Sequence, residues 1–458
     1  MPIPTDATTR APIPGPGTRP AAGRALYAWY GDDFTGSTDV LEALASAGVP
    51  SVLFVGTPSE AQRARFAGCR AFGIAGDSRS RDPEWMSEHL PALFRSLGAL
   101  GAPLVHYKTC STFDSSPEIG SIGRALEIGR GVLPGPFIPI VVAAPHLGRY
   151  LVFGNLFAAA AGEVHRIDRH PTMRSHPVTP MCEADLRRHL AAQTALPIGS
   201  VELPALARGA AGEALAACLA AGDQAVLFDG VSTEDLAQTG RLLWRDAQAH
   251  RLFCAGSSGL TYALLAAWRQ AAVIPAEAPA PASIRSADTL LVISGSCSPV
   301  TARQIQLALR SGYHGIALDP AALLNSGGAQ IGESVVREAA NSLRRGRSTV
   351  LYSAVGPLPA GAPPSGERLG RRMGELLARI LAAVPQHRRV LLAGGDTSSH
   401  ALTQLGLSAL TWAGSLEPGA PLCRAHADGH SGRDGLELVL KGGQVGSEGF
   451  FERVRQGK

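Results

Sequence analysis

Two adjacent carboxylates follow the first apolar run of the chain. Asp32 and Asp33 come directly after the run Leu26–Tyr30 and precede Thr35 and Gly36, where a helix-like pattern begins. Paired acids in such a turn can bind the hydroxyl groups of a polyhydroxylated compound or accept a proton from one of them. The alternative interpretation is an aspartate that caps the following helix. One aspartate would satisfy that alternative, so the pair favours a functional role.

A second polar cluster follows the fourth apolar run, in the segment KTCSTFDSS that begins at Lys108. A lysine at the end of a buried strand needs an anionic partner, because an unpaired buried charge is costly. Its ammonium group suits a carboxylate or a phosphate, and the hydroxyl groups can hydrogen-bond a sugar-like chain. The alternative is a solvated loop that caps a helix starting at Pro117. The candidates here are Lys108, Ser111, Thr112 and Asp114.

Three histidines, His165, His170 and His176, lie close together in the sequence. Their spacing matches no common zinc motif, so we do not predict a metal site there. Hydrogen bonding to a ligand by His176 and by Thr179, in the segment HPVTPM, is the favoured interpretation. Arg149, which interrupts an apolar stretch, completes the substrate-binding candidates.

Three loops in the last third of the chain are rich in glycine. ISGSCSP begins at Ile293, AGGDTS at Ala393 and LKGG at Leu440, and each follows an apolar run. A loop between a strand and a helix can bind phosphate through its N–H groups and the helix dipole. The missing GxGxxG and GxxxxGK[ST] patterns disfavour a Rossmann dinucleotide site and a Walker A loop. The candidates are Ser294, Ser296, Gly394, Gly395, Asp396, Thr397, Lys441, Gly442 and Gly443, with Asp396 as a magnesium ligand.

These candidate loops follow short apolar runs that alternate with helix-like segments. Continuously apolar strands separated by helices predict a parallel sheet covered on both faces. The fold class is therefore α/β, with two domains that each contain a largely parallel sheet flanked by helices. Ligands bind at the strand ends of such sheets, so we place the active site in the interdomain cleft. The predicted organisation is a disordered Pro-rich tail over 1–24, a first domain over 25–273, a linker over 274–287 and a second domain over 288–458.

The composition excludes several classes of protein. The 458 residues include 45% hydrophobic and 17% charged side chains, which excludes a disordered chain and a coiled coil. A formal net charge of +4 makes no case for nucleic acid but suits an anionic small substrate. Seven scattered cysteines indicate reduced thiols rather than a disulfide framework. We expect a cytoplasmic protein without a membrane span, because no unbroken apolar run reaches about 18 residues.

Seven ordered segments give the chain a family resemblance. They are GDDFTGSTDV, KTCSTFDSS, HPVTPM, GSSGL, SGSCSPVTARQI, GGDTSSHAL and KGGQVGSEGFF, spread from about Leu26 to Phe451. In this set and order the chain resembles the four-carbon acid sugar kinases. The resemblance implies ATP-dependent phosphorylation of a terminal hydroxyl on a 3-oxotetronate, threonate or erythronate type of acid, with ATP and Mg²⁺ as cofactors. It also implies that the first domain binds the acid and the second binds ATP.

The resemblance assigns roles to the candidates. The acid site would draw on Asp32, Asp33, Lys108, Ser111, Asp114, His176 and Thr179, and the ATP site on Ser294, Ser296, Gly394, Gly395, Asp396, Thr397 and Gly443. Family members commonly have GGETSG and KSGNFG where this chain has GGDTSS and KGGQVG, so the carboxylate of Asp396 has a shorter reach. We predict Asp33 as the general base and Asp32 as a ligand of substrate hydroxyls. Lys108 would pair with the substrate carboxylate or the transferring phosphoryl group.

Other functions stay open at this point. A branched oxo-acid such as 3-oxo-isoapionate is an alternative substrate, because one or two loop contacts decide such preferences. A non-catalytic sugar-acid-binding protein would need the first set of loops but not the glycine-rich ones, all of which are present. The missing GxGxxG motif disfavours a nicotinamide dehydrogenase. The expected partners are a small anionic sugar acid and ATP, with no nucleic acid and no membrane, and a homodimer stays open.

Overall fold

The computed structural model describes residues 25–160, 162–176, 178–280, 283–325, 328–356, 366–429 and 432–458. The side chains of residues 328, 329, 366, 396 and 397 are outside this description. The Pro-rich tail predicted for residues 1–24 lies outside the described residues, as do two residues of the predicted linker, Pro281 and Ala282.

Strands and helices alternate along most of the described chain. The strands are β1 (Tyr27–Gly31), β2 (Ser51–Phe54), β3 (Ala71–Ala75), β4 (Leu104–Lys108), β5 (Ile138–Val141), β6 (Arg149–Val152), β7 (Asn155–Ala160), β8 (Glu163–Arg166), β9 (Ile198–Val201), β10 (Ala225–Phe228), β11 (Leu252–Gly256), β12 (Leu291–Ser294), β13 (His314–Ala317), β14 (Thr349–Tyr352), β15 (Arg389–Ala393), β16 (Leu407–Glu417), β17 (Ala420–Ala427) and β18 (Glu437–Lys441). The helices are α1 (Phe34–Ser46), α2 (Glu60–Arg65), α3 (Pro83–Gly98), α4 (Ile122–Val132), α5 (Leu186–Ala191), α6 (Leu203–Ala207), α7 (Ala211–Ala220), α8 (Thr233–Ala249), α9 (Ser258–Gln270), α10 (Pro299–Arg310), α11 (Pro320–Leu324), α12 (Gly328–Arg344), α13 (Gly366–Ala383), α14 (Gly395–Thr403) and α15 (Phe450–Gln456).

The first half of the chain forms a run of parallel strands in the order β2-β3-β1-β4-β11-β5-β10-β9. Strands β1 and β4 are buried along their whole length, as their continuous apolar sequences predict. The register pairs Lys108 with Gly31 on one side and with Gly256 on the other. The carboxyl ends of β1, β4 and β11 therefore lie side by side, with the candidate loops directly beyond them.

The second half contributes a parallel run in the order β13-β14-β12-β15-β18. The predicted architecture of largely parallel sheets flanked by helices is confirmed. A hairpin of β16 and β17, which the sequence did not reveal, joins the two runs into one sheet by pairing with β2 and with β18. Register shifts at Leu407/Ala409, Trp412/Gly414 and Gly414/Glu417 break the two-residue alternation that normally identifies a strand.

The twist of the sheet decides where its two sets of strand ends lie. Three antiparallel pairings separate the runs, so β15 and β1 have opposite directions within the hydrogen-bonded ladder. Six neighbour steps lie between them, and a twist of roughly 20–25° per step rotates the strands by roughly 120–150°. A rotation of this size offsets much of the reversal that the three antiparallel pairings introduce.

The apolar stretch 137–162 forms parts of two sheets. Its first part is β5, and its second part supplies β6 and β7, which pair with β8 in a small antiparallel sheet. The sharp chain reversals between these strands divide the stretch into short pieces. Across the described part of the chain, no helix combines the length and the hydropathy needed to cross a membrane.

Candidate active site

Asp33 is both the N-cap of α1 and part of an ion pair. One carboxylate oxygen accepts hydrogen bonds from the Gly36 N–H (2.5 Å) and the Thr35 hydroxyl (3.2 Å). The other accepts a hydrogen bond from Nη1 of Arg79 (3.0 Å). Burial alone would raise the pKa of Asp33, but Arg79 and Lys108 hold this pKa below its ordinary value. Asp33 therefore remains ionised with both of its oxygens already in use.

Asp32 has the opposite environment. Its side chain is buried, and Oδ1 has no hydrogen-bond partner among the described residues. Burial, followed by the charge of Asp33, raises the pKa of Asp32 to about 7. Two neighbouring carboxylates thus differ in proton affinity, which is the arrangement that separates a proton acceptor from a permanently charged group. The geometry favours Asp32 over Asp33 as the group that exchanges a proton near neutral pH.

The loop after β4 reverses direction at Phe113, a buried residue with a φ of 56°. A left-handed conformation is unfavourable for a phenylalanine, and such strain tends to occur at functional sites. The reversal brings Asp114 to Arg79, whose Nη2 donates to both carboxylate oxygens (2.9 and 2.8 Å). Burial would raise the pKa of Asp114, but the Arg79 guanidinium and the hydroxyl of Thr112 hold it well below its ordinary value.

Asp114 connects the β4 loop with the segment around His176. The hydroxyls of Thr112 (2.5 Å) and Thr179 (2.8 Å) both donate to its carboxylate. Nδ1 of His176 in turn accepts the N–H of Thr179 (3.1 Å). The structure therefore brings together four residues that the sequence placed in one site, although Asp114 is held by the protein's own donors.

Lys108 lies against the start of α1. Its side chain is 2% exposed, and Nζ donates to the carbonyl oxygen of Thr109 (2.7 Å). A Cβ atom at Gly36 would lie 2.8 Å from both this Nζ and Oδ1 of Asp33, so glycine lets the lysine approach the acidic pair. Ser111 lies half-buried in the following loop. The acid site thus contains a buried ammonium group beside two carboxylates.

Arg79 is the main residue that the sequence reasoning missed. It follows β3 in a short 3₁₀ turn over Ser78–Ser80 and links Asp33 to Asp114 through one guanidinium group. The signal was available, because this turn is also a strand end at the same edge of the sheet. It was overlooked because GDSRS contains no glycine-rich or hydroxyl-rich pattern comparable to the other loops.

The three glycine-rich loops also meet at one edge. Strands β12, β15 and β18 are neighbours, and the N–H of Gly394 donates to the carbonyl oxygen of Lys441 (3.0 Å). Gly394 has a φ of 112°, which requires glycine. Ser294 is fully buried with an unpartnered hydroxyl among the described residues, and Ser296 is also buried. An unpartnered hydroxyl beside an exposed loop is a group that a bound phosphate can satisfy.

Lys441 is the cation of this second cluster. Its Nζ donates to the hydroxyl of Thr301 (2.9 Å), which itself donates to the carbonyl oxygen of Gly443 (2.8 Å). Burial lowers the pKa of Lys441 to about 7, so a nearby anion would favour its charged form. Nε2 of Gln304, a residue absent from the predictions, donates to three carbonyl oxygens of the loop after Gly443 and holds that loop in place.

The glycine-rich loop after β15 leads into helix α14. Gly395 begins α14, and Asp396 and Thr397 follow it in the first turn, but the side chains of both lie outside the described residues. Gly442, between Lys441 and Gly443, completes the last loop.

Replacing Gly443 by alanine is expected to weaken ATP binding about tenfold, the usual order of an overpacking cost. The new Cβ would lie 2.9 Å from Oγ of Ser296 and 3.0 Å from Cβ of Ser298, so the Gly443 loop and the loop with both serines would have to separate. Isothermal calorimetry with ATP measures the effect. Gly449→Ala is the matched control, because its Cβ would meet no atom within 4 Å. Equal affinity in Gly443→Ala and the unmodified protein would contradict this assignment.

Contacts between the two halves of the chain link the surroundings of the two clusters. Nη1 of Arg81, two residues beyond Arg79, lies 3.8 Å from a carboxylate oxygen of Glu367 at the start of α13. Helix α1, which begins at Asp33, packs against α14 and β16 of the second half. Glu42 of α1 accepts the N–H of Gly419 in the β16–β17 turn (3.1 Å). The two candidate sites therefore belong to one packed assembly.

Comparison with known families decides what this assembly is. A sugar-binding N-terminal domain matches residues 27–264, and a nucleotide-binding C-terminal domain matches residues 291–451. The chain belongs to the four-carbon acid sugar kinase family. The two matched domains correspond to the two clusters, since the acidic pair lies in the first and the glycine-rich loops lie in the second.

Curated relatives of this four-carbon acid sugar kinase extend over nearly the whole chain. A 3-oxo-isoapionate kinase from Paraburkholderia graminis is 48% identical, covering 94% of this chain and 94% of its own. A 3-oxo-tetronate kinase from Cupriavidus necator is 31% identical, covering 95% and 98%. One from Burkholderia multivorans is also 31% identical, covering 95% and 97%. The chain is accordingly a kinase.

Solved structures of similar proteins share the fold of this kinase. A Salmonella typhimurium LT2 protein, provisionally described as a tRNA synthase, has a TM-score of 0.74 at 27% identity and covers 95% of this chain and 100% of its own. A Haemophilus influenzae protein has a TM-score of 0.67 at 25% identity, with coverage of 93% and 99%. Both solved structures align with nearly the whole chain, so they share both of its halves.

Proposed function

We propose that this kinase transfers the γ-phosphoryl group of ATP to a terminal hydroxyl of a short sugar acid held at the Asp32–Lys108 cluster. One observation carries the proposal. A buried carboxylate with one unpartnered oxygen lies beside a buried ammonium group at the strand ends of the first half, and helix α1 of this half packs against α14, which follows a glycine-rich loop. Phosphoryl transfer needs such positioning and charge neutralisation more than it needs covalent participation by the protein.

The charged groups of the acid site have different roles in this proposal. Asp32 accepts the proton of the attacking hydroxyl, because its raised pKa gives it affinity for a proton near neutral pH. Asp33 stays ionised and holds Arg79 and the start of α1 in position. This proposal reverses the sequence-based prediction, in which Asp33 was the base. As the hydroxyl oxygen bonds to the γ-phosphorus, the bond to the β-phosphate oxygen breaks and ADP leaves. Lys108 balances the negative charge that develops nearby.

The nucleotide would be held by the second cluster. Ser294, Ser296, Gly394, Gly395, Lys441, Gly442 and Gly443 offer hydroxyl, N–H and ammonium donors for its phosphates. The unpartnered Ser294 hydroxyl and the close approach of Gly443 to Ser296 fit this use. Bound Mg²⁺ supplies charge neutralisation at the phosphates, and Asp396 is the residue we propose for it, with Thr397 beside it.

The substrate we propose first is a branched oxo-acid of the 3-oxo-isoapionate type. The relative of that name is 48% identical to this chain, whereas the 3-oxo-tetronate kinases cited above are 31% identical. The 3-oxo-tetronate type is the second candidate, because those relatives also cover almost the whole chain. The contacts that distinguish the two acids would come from the loop with Ser111 and from the segment with His176 and Thr179.

The domain boundaries predicted from sequence remain our proposal. Residues 25–273 would bind the acid and residues 288–458 the nucleotide, joined by the linker 274–287. The family matches end at 264 and resume at 291, on either side of that linker. Pro279 of the linker packs near Gly48 at the end of α1, so the linker is anchored to the first half.

A substrate panel tests the function directly. The purified full chain is mixed with Mg-ATP and, separately, with 3-oxo-isoapionate, 3-oxotetronate, threonate and erythronate, and ADP release is measured. We expect release with at least one acid and the highest kcat/KM for the branched oxo-acid. ADP release with none of the four, in a protein that ATP stabilises against thermal unfolding, would overturn the proposed acceptor. No thermal shift with ATP would overturn the nucleotide site itself.

A further inference from the structure

Arg149 differs from Arg79 and Arg389 in what surrounds its guanidinium group. Arg79 and Arg389 each form an ion pair with a carboxylate. Within the described residues, no carboxylate oxygen lies within 4 Å of the Arg149 guanidinium, which is partly buried at the start of β6. A buried cation without a counter-charge is costly, so this position is explained if an anion from outside the chain completes it.

The hydrogen bonds of Arg149 leave one edge of its guanidinium free. Nη1 donates to the carbonyl oxygens of Leu147 (2.9 Å), Gly148 (3.2 Å) and Ala159 (3.3 Å), which fixes the orientation of the group. Nε is shielded from solvent and has no partner, and Nη2 donates to none of the described residues. The Nε–Nη2 edge carries the two parallel N–H groups that match a carboxylate in bidentate geometry.

The strand order shows how far Arg149 lies from the acid site. β6 follows the carboxyl end of β5, and β4 and β11 lie between β5 and β1. At about 4.8 Å per strand, Arg149 approaches the acid site from roughly 14 Å beyond the strand of Asp32, on the side away from the second half of the chain. Its guanidinium interacts electrostatically with Cys110 of the β4 loop and with His170, so it lies in the neighbourhood of the acid site.

We propose that Arg149 binds the carboxylate of the sugar acid through its Nε–Nη2 edge and thereby orients the terminal hydroxyl towards Asp32 and Lys108. The inference rests on the proposed function and deepens it, because it states which end of the acid faces the nucleotide. It also explains why the enzyme would prefer a sugar acid to a neutral sugar. A neutral sugar of the same length would leave the Nε–Nη2 edge without a counter-charge, whereas a carboxylate satisfies it.

The test compares 3-oxotetronate with erythrulose, which has the same carbon skeleton and a hydroxymethyl group in place of the carboxylate. In Arg149→Met we expect KM for 3-oxotetronate to rise about 100-fold, the order lost when one partner of a buried charge pair is removed. The kcat/KM for erythrulose should stay within about threefold of the unmodified enzyme. Arg149→Lys keeps the positive charge but not the two parallel N–H groups of the guanidinium. Its KM for 3-oxotetronate should therefore lie between the values for the unmodified enzyme and for Arg149→Met.

Arg166→Met is the matched control, because Arg166 lies on β8 of the same small sheet and pairs with Asp168 instead. An equal loss for 3-oxotetronate and erythrulose in Arg149→Met would overturn the inference. Calorimetric titration of 3-oxotetronate without nucleotide separates this inference from the proposed function. Weaker binding by Arg149→Met than by Arg166→Met supports the carboxylate anchor even if no turnover occurs, and equal binding overturns it even if turnover is normal.

Discussion

Replacing Asp32 by asparagine is expected to lower kcat by about 10²–10⁴-fold, the usual contribution of general acid–base catalysis. The buried carboxylate has an oxygen without a partner and a pKa raised to about 7, first by burial and then by Asp33. Asparagine keeps the shape of the side chain but cannot take up the proton of the attacking hydroxyl. Initial rates at saturating ATP and sugar acid measure the loss.

The pH profile separates the two aspartates. If Asp32 is the base, kcat/KM should fall about tenfold per pH unit below about pH 7, where the carboxylate becomes protonated. Asp33→Asn should keep this dependence but shift it to lower pH, because the charge of Asp33 contributes to the raised pKa of Asp32. Asp32→Asn should lose it. A 100-fold loss in Asp33→Asn together with near-normal activity in Asp32→Asn would return the base role to Asp33.

The stability of Asp32→Asn provides the control for folding. The pKa of Asp32 is about 7 in the folded chain and about 4 in an unfolded one. The unfolded chain therefore loses its proton first, and ionisation of Asp32 disfavours folding as the pH rises from 4 through 7. Asparagine removes this penalty, so the variant should unfold at pH 8 at a temperature no lower than that of the unmodified protein.

Replacing Arg79 by methionine is expected to cost about 3–5 kcal/mol of unfolding free energy at pH 7, the range for a buried ion pair that loses one partner. The guanidinium pairs with both Asp33 and Asp114, whose carboxylates are largely shielded from solvent. Methionine fills most of the space but leaves two buried negative charges uncompensated. Urea unfolding followed by circular dichroism measures the change.

Arg81→Met is the matched control for Arg79. Its partners are Asp77 and Glu367, both in contact with solvent, so its loss should stay below about 1 kcal/mol. The difference between Arg79→Met and the unmodified protein should shrink as the pH falls below about 4. The pKa of Asp114 is lowered in the folded chain, and the stability from its ionised form is lost on protonation. Equal losses in both variants would contradict a structural role specific to Arg79.

The sequence by itself predicted the architecture and the loops that form the two candidate clusters. Short apolar runs bounded by turns are local patterns, and parallel strands linked by helices place their carboxyl ends along one edge. Lys108 and Gly394 were therefore selected without knowledge of any contact, because Lys108 ends β4 and Gly394 directly follows β15. The seven ordered motifs also identified the family.

Only the tertiary structure decided what each charged group does. Asp32 and Asp33 are chemically identical neighbours in the sequence, and they differ because Arg79 reaches one of them while burial isolates the other. The sequence named Arg149 only as a substrate-binding candidate, and its carbonyl partners and free edge are visible only in the structure. The β16–β17 hairpin escaped detection because its bulges interrupt the alternation of side chains. Proton affinity and ion pairing depend on solvent exclusion and on residues distant in the chain, and neither is encoded in local spacing.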